Sequence, residues 1–239
     1  MKRFFIFIVF IFVLLSGVRA QNNGLIGRDS KSAGFLSVGA GSLAVLGDLG
    51  SIIRDPLFDL ENRHMFSVVF RHLFFDDRFG YRVAVFYGEY NGSDKNFKSP
   101  ERGYAFEATM VQSSFQAEYS LINNNLRNSS ITYEAFLRGG LALAFPEVVL
   151  TGEAIRPVDS SELNKPAFGV PFGIGFDFGF ASVVKLGVDI GVSYYFNDYL
   201  DGISTSYSKS NDLTGEILLT LSFRLFGKKV QRGCRCDWK

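Results

Sequence analysis

The clearest signal along the chain is a strict alternation of large apolar and small residues at positions 168–180. One parity is wholly apolar and the other is mainly glycine. A period of two places successive side chains on opposite faces of an extended strand. The segment therefore predicts a β-strand with one continuous apolar face, formed by Phe168, Val170, Phe172, Ile174, Phe176, Phe178 and Phe180.

Seven further segments alternate in a similar way, so the sequence predicts eight strands. The alternation in 104–119 changes phase near residues 111–114, which predicts a β-bulge there. The connections are alternately long and short, with one of intermediate length at 121–130. This pattern is typical of an antiparallel outer-membrane barrel, with long loops outside and short turns in the periplasm. The predicted strands are 34–46, 65–73, 79–87, 104–119, 131–145, 168–180, 185–196 and 217–225.

The two faces of these strands distinguish a membrane barrel from a soluble one. In a soluble sandwich or lipocalin-like barrel, the apolar face points inward and a glycine-rich face would meet water, although glycine weakens a strand. In the opposite arrangement the large apolar residues contact lipid and the glycines allow a narrow lumen to close. An eight-stranded barrel has an interior just wide enough to be filled by side chains. The predicted fold class is all-β, an eight-stranded antiparallel transmembrane β-barrel over residues 34–226.

Charged residues occupy the alternate strand positions that are predicted to face the lumen. Buried charges are tolerated when they are paired, and the two signs are nearly balanced in this set. Either Glu107 or Glu118 joins it, depending on the predicted bulge. We interpret the set as a structural ion-pair plug rather than as a proton path or a pore. Its predicted members are Arg71, Arg82, Glu134, Arg138, Asp177, Lys185, Asp189 and Arg224.

The N-terminus predicts export from the cytoplasm. Lys2 and Arg3 precede an apolar run at 4–15, and Val18 and Ala20 are small residues suited to signal peptidase. The run is shorter than the roughly 18 residues that a spanning helix needs. We predict a cleaved signal peptide at 1–20, a periplasmic segment at 21–33, the outer-membrane barrel at 34–226 and a periplasmic tail at 227–239.

The remaining composition indicates neither an enzyme nor a nucleic-acid-binding protein. The net charge of +1 gives no electrostatic case for nucleic acid. A lipid hydrolase would need a His beside a Ser, but His64 and Ser67 point to opposite faces of a strand, and His72 has the lipid-facing parity. The thiols of Cys234 and Cys236 do not by themselves make a structural zinc set. No catalytic residue, metal or cofactor is predicted.

Several stretches resemble a Bacteroidota outer-membrane β-barrel family that includes PorG of the type IX secretion system. They are the Gly-Ala-Gly-Ser and Leu-Gly-Asp-Leu runs at 39–42 and 46–49, the Pro-Phe-Gly-Ile-Gly run at 171–175, and the Asn-Asp-Tyr-Leu-Asp-Gly segment at 197–202. The resemblance implies a non-enzymatic barrel that ties the periplasmic ring of a protein-secretion complex to the outer membrane. The implied partners are outer-membrane lipid and periplasmic secretion-ring proteins. A stand-alone structural or adhesive barrel is the alternative.

The C-terminal tail at 227–239 is the predicted docking segment. It combines cations, two thiols and the single Trp of the chain, and it offers little apolar area with which to order by itself. One interpretation is a solvated end; the other is a docking peptide that cations steer to an acidic surface and that Trp238 anchors. The turn at 121–130 is the competing site. The candidate docking residues are Lys228, Lys229, Arg232, Cys234, Arg235, Cys236 and Trp238.

Overall fold

A computed structural model describes residues 33–46, 63–74, 78–93, 105–124, 131–151, 164–180, 183–196, 200 and 212–226. The predicted signal peptide and the predicted C-terminal tail lie outside these residues, as does all but the last residue of the predicted segment at 21–33. None of the described residues belongs to a helix long and apolar enough to cross a membrane. The strands are β1 (Ala33–Leu46), β2 (Met65–Phe74), β3 (Phe79–Ser93), β4 (Ala105–Asn124), β5 (Ile131–Thr151), β6 (Ala167–Phe180), β7 (Val184–Tyr195) and β8 (Leu213–Phe226).

The eight strands close into one barrel in sequence order. All neighbouring strands are antiparallel, and β1 pairs with β8 from Gly34 opposite Phe226 to Leu46 opposite Leu213. The first and last strands therefore begin and end at the same end of the barrel. We call this the turn end, since the short β2–β3 and β6–β7 connections also lie there, and we call the opposite end the loop end. The predicted eight-stranded antiparallel barrel is confirmed.

Burial distinguishes the outer face of the strands from the face that lines the lumen. Large apolar side chains lie on the outside: Leu141 is 71% exposed and Phe172 is 59% exposed. Charged side chains lie inside, where Arg138 and Asp177 are almost completely buried. A soluble barrel has the opposite distribution. An apolar outer band around a polar interior is the arrangement of a transmembrane barrel of the outer-membrane type.

Aromatic pairs mark both limits of the apolar band. At the turn end the rings of Phe79 and Tyr119 are 4.9 Å apart, and His72 lies on the outer face with its ring 5.3 Å from that of Tyr81. At the loop end the rings of Tyr194 and Phe196 are 5.5 Å apart. Aromatic girdles of this kind flank the lipid-facing band of outer-membrane barrels.

Three strands continue past the apolar band, and their polarity reverses there. On β3 and β5 the outward residues become Glu89 and Glu147, whereas Tyr90 and Val148 point inward and are buried. This reversal explains why the predicted strands end too early at residues 87 and 145. The prediction followed an apolar outer face, and beyond the band the apolar face is the inner one. At the turn end, β4 continues past the predicted end at 119 to Asn124, through the register shift between Ser120 and Ile122.

The predicted bulge at residues 111–114 is wrong. The pairing of β4 with β3 is continuous through this stretch, and the register shift with β5 lies between Ser120 and Ile122. The sequence is misleading because apolar Met110 points into the lumen and polar Ser113 faces outward. The alternation of polar and apolar residues is therefore lost in this stretch, although side chains still alternate between the two faces of the strand. With the phase settled, Glu118 is lumenal and Glu107 is exposed on the outer face.

One edge of the extended sheet is protected against pairing with another chain. The last residue of β5 that pairs with β6 is Ala144, so the following residues form an edge. Pro146 has no amide to donate at this edge, and the amide of Val148, two residues on, donates to the side chain of Asn164 at 3.2 Å. Proline at an edge strand removes a donor that a second strand could pair with.

The first prediction follows from the position of Ile190 on the outer face of β7. Ile190 lies on the outer face between Ile174 of β6 and Ile217 of β8. Ile190→Arg is expected to reduce the unfolding free energy by about 2–4 kcal/mol, since a cation at the bilayer midplane is unfavourable by that amount. Urea unfolding in lipid vesicles measures this, with Ile190→Leu as the apolar control. An Ile190→Arg barrel as stable as the wild type would contradict a lipid-facing outer surface.

Candidate functional site in the barrel lumen

Large side chains of β5 point into the lumen opposite glycines of β6 and β7. Phe136 is buried and lies against Gly175, where any Cβ would overlap its ring. Arg138 passes over Gly173, where a Cβ would lie 2.7 Å from its guanidinium carbon, and then over Gly191. The glycine parity of the predicted strand at 168–180 therefore provides the space into which β5 places one aromatic ring and one guanidinium.

The first group of charges lies toward the turn end; we call it the lower cluster. Arg71 is at its centre: its Nε donates to Glu118 Oε2 at 2.9 Å, and its Nη1 lies 2.5 Å from Asp177 Oδ2. Glu134 Oε1 is 3.5 Å from Arg71 Nη2. Lys185 Nζ donates to the other oxygen of Glu134 at 2.6 Å.

The second group lies nearer the middle of the lumen; we call it the upper cluster. Asp189 is shared by two cations, with Arg82 Nη2 at 2.8 Å and Arg138 Nε at 2.7 Å. Arg138 also pairs with Glu216 through Nη2 and donates from Nη1 to Gln116 Oε1 at 3.2 Å. All three nitrogens of this guanidinium are therefore used.

Two of these pairs join strands on opposite sides of the barrel. Arg71 of β2 meets Asp177 of β6, and Arg82 of β3 meets Asp189 of β7; each pair is separated by half of the eight-stranded circle. Phe136 lies between the two clusters, with its ring centroid 4.3 Å from the guanidinium of Arg71 and 5.9 Å from that of Arg82. The pairs occupy the lumen across its full width at these levels.

Apolar side chains fill the lumen on both sides of the charged clusters. At the turn end, Phe35 packs in a buried group with Ala33 and Leu73, and Lys185 and Arg224 lie over its ring at 4.3 and 5.2 Å. At the loop end the lumen is filled by a larger buried apolar group. Its members are Leu43, Val45, Met65, Phe86, Tyr90, Phe106, Ala108, Met110, Ala144, Val148, Ala167, Tyr195, Leu200 and Leu218.

The lumenal charges balance among the described residues. The two clusters hold four cations and five carboxylates, and Arg224 is a fifth cation. Arg63 and Asp212 are also buried, so the two signs number six each. Burying a charge is strongly unfavourable unless an opposite charge and hydrogen bonds compensate for it. Sharing supplies the opposite charges: Arg71, Arg138 and Asp189 each contact more than one partner.

The structure places the eight predicted lumenal residues in two locations. Seven of the eight belong to the two clusters, and Arg224 instead lies over Phe35 at the turn end. Sequence reasoning missed Glu216, because the predicted strand began at residue 217. The signal was present, since Glu216 has the same parity as Thr220, Ser222 and Arg224.

The histidines do not lie beside a lumenal serine. Ser67 is buried inside the barrel, whereas His64 is on the outer face with its Nε2 3.1 Å from Glu89 Oε2. Across the described ranges, no three His, Cys, Asp or Glu side chains group as a metal site. The candidate docking residues at 228–238, including Cys234, Cys236 and Trp238, lie outside the described residues.

Comparison with known proteins identifies a family and a group of similar folds. The profile of the family described as "Domain of unknown function (DUF6089)" matches residues 2–218. No curated protein matches the sequence.

Three solved structures illustrate the similarity of fold. A major outer membrane protein from Thermus thermophilus has 12% identity and a TM-score of 0.49, covering 81% of this chain and 99% of that one. Neisserial surface protein A has 16% identity and a TM-score of 0.41, with coverages of 80% and 96%. The attachment invasion locus protein of Yersinia pestis, Ail, has 13% identity and a TM-score of 0.40, with coverages of 81% and 99%.

The upper cluster generates the second prediction. Arg138→Met leaves Glu216 without its cation and Asp189 with Arg82 alone, so the unfolding free energy is expected to fall by about 3–5 kcal/mol. Adding Glu216→Gln removes the uncompensated charge and is expected to restore part of the loss. Urea unfolding of the single and double variants measures the coupling.

Glu107→Gln is the matched control, because Glu107 is exposed on the outer face of β4. Its expected effect is within about 0.5 kcal/mol of zero. Equal losses in Arg138→Met and in the double variant would show that the Arg138–Glu216 pair does not hold the lumen together.

Proposed function

The chain belongs to the family described as Domain of unknown function (DUF6089), and we propose that this member is a non-enzymatic outer-membrane barrel that anchors a protein-secretion complex. The observation that carries the proposal is the filled lumen. Paired charges cross it at two levels and apolar groups fill it on both sides. A barrel of this kind offers its partners only its outer wall and its two ends.

The filled lumen argues against a solute pore. A pore needs a continuous hydrated path, whereas Arg71, Arg82 and Arg138 are buried and engaged by carboxylates from non-adjacent strands. Opening such a path would separate several buried ion pairs, and an unpaired buried charge is strongly unfavourable. Anchoring needs no such opening.

We assign the turn end to the periplasm. Short turns lie on the periplasmic side of outer-membrane barrels and longer loops lie outside. Both Ala33 and Phe226 are at the turn end, so the segments that precede β1 and follow β8 leave the barrel on that side. Under this assignment the tail at 227–239 meets the periplasm, where a secretion ring would lie.

The tail is the proposed contact with that ring. Its cations suit an acidic surface, Trp238 suits an apolar pocket, and the thiols of Cys234 and Cys236 suit an oxidising compartment in which a disulfide persists. The resemblance to the family that includes PorG of the type IX secretion system supports a ring-tethering role, with periplasmic ring proteins as partners.

A second candidate function is a stand-alone structural or adhesive barrel. The extension of β3, β4 and β5 beyond the apolar band supports it, because this extension presents a polar outer face at the loop end that includes Glu89, Glu107 and Glu147. A barrel that only anchors has no need of such a surface. The two functions differ in which end of the barrel binds a partner.

The third prediction concerns the tail. A chain truncated after Gly227 is expected to insert as a closed barrel but to lose its periplasmic partners when outer membranes are solubilised in mild detergent and the barrel is purified. A Cys234→Ser, Cys236→Ser chain separates the contribution of the thiols from that of the cations and Trp238. Different migration of heated and unheated samples in detergent gels verifies assembly of each variant.

The full-length chain is the positive control for partner capture. A truncated barrel that retains the same partners and supports secretion at the wild-type level would refute tail docking. A full-length barrel that purifies alone, while cells lacking it lose surface attachment, would favour the stand-alone function.

A further inference from the structure

A groove crosses the outer wall of the barrel where the last strand closes on the first. It runs across β1, β8 and β7 and has a volume of about 620 Å³. Its floor is backbone, because Gly39 lies opposite Thr220 and Thr220 lies opposite Gly187. Outward residues on either side of this floor form two walls, one of Ala40, Leu219 and Val188 and the other of Val38, Leu221 and Leu186.

The short side chain of Ala40 opens this groove at one end. Ala40 lies between Phe66 of β2 and Leu219 of β8 in the pairing register, and both of those side chains are more than half exposed. The methyl group of Ala40 is much shorter than either neighbour, so a gap remains between them. Phe178, which pairs with Leu186, bounds the other end. Every outward side chain that lines the groove is hydrocarbon.

The groove is continuous with the lipid-facing band. Val188 is the next outward residue on β7 after Ile190 in the direction of the turn end, so the groove lies within the hydrocarbon region of the bilayer. Lipid tails are as apolar as leucine, so burial there gives no hydrophobic gain, and a preference for one position depends on van der Waals contact. A chain held between two walls contacts protein on three sides, whereas a chain on the convex wall contacts it on one.

The width of the groove selects its occupant. Its walls are outward residues two apart on each strand, which places them roughly 7 Å from each other. That spacing admits a single hydrocarbon chain but excludes a helix, whose diameter with side chains is about 10 Å. The convex wall of a second barrel is wider still.

We propose that this groove binds one acyl chain of a phospholipid. The proposal goes beyond anchoring, because it assigns a lipid to one position on the wall. The groove lies on the turn-end side of Ile190, and we assign that end to the periplasm, where the leaflet of the outer membrane consists of phospholipid. The choice of phospholipid rests on this assignment, whereas the groove itself does not.

The proposal is tested by photochemical labelling from the lipid. Purified full-length barrels are placed in phosphatidylethanolamine vesicles that contain a small fraction of the same lipid with a diazirine on one acyl chain. On illumination the diazirine loses dinitrogen, and the resulting carbene inserts into a nearby C–H bond. Mass spectrometry then compares adducts at Val38 and Leu221 with adducts at Leu141, which lies on β5 away from the groove and is more exposed than Val38.

Val38 and Leu221 are expected to be labelled at least about fourfold more than Leu141, the change that a handful of added atom contacts produces. Ala40→Phe fills the gap and is expected to abolish this excess. Ala117→Phe is the matched control, because Ala117 is exposed on the outer face of β4, and it is expected to leave the excess unchanged.

Migration of heated and unheated samples verifies that each variant is a closed barrel, and the wild-type ratio tests the proposal even if Ala40→Phe does not assemble. Labelling that follows exposure, with Leu141 ahead, would overturn the proposal. So would equal effects of the two variants, or labelling that spares Val38 and Leu221 because a second copy of the chain covers them.

Discussion

Nine charged side chains form two clusters inside a barrel that is too narrow to hydrate them, so each needs a partner within the lumen. Pairing between adjacent strands would leave the centre of the lumen empty. The pairs of Arg71 with Asp177 and of Arg82 with Asp189 instead cross the barrel. They satisfy the charges and fill the space at the same time, and each ties together strands that share no backbone hydrogen bonds.

The glycines of β6 and β7 follow from this constraint. The guanidinium of Arg138 lies over the neighbouring strands β6 and β7, and Gly173 and Gly191 provide the clearance that it needs there. Gly175 does the same for the ring of Phe136, which separates the two clusters. The lipid-facing parity is free of these demands, so it carries the large apolar residues that the bilayer favours.

The sequence predicts the barrel well because both of its faces leave periodic signals. Alternation at 168–180 sets the phase of β6, and the same parity rule brings Arg71, Arg82 and Arg138 to the lumen. The rule fails where the polarity of a residue no longer indicates which way its side chain points. Met110 and Ser113 obscure the phase of β4, and the outward Glu89 and Glu147 conceal the ends of β3 and β5. Leu200 could not be foreseen, since its burial depends on Tyr90 and Asp212, which are distant in sequence or belong to no periodic segment.

The central claim is that paired side chains close the lumen, and ion conductance through single barrels tests it most directly. Purified protein would be inserted into a planar lipid bilayer in concentrated potassium chloride. A porin of known conductance, treated identically, is the positive control for the insertion procedure. The filled lumen predicts no steady ohmic current from the wild-type barrel. A stable, voltage-independent channel in every inserted molecule would contradict the account, because such a current requires a water-filled path past Arg71, Arg82 and Arg138.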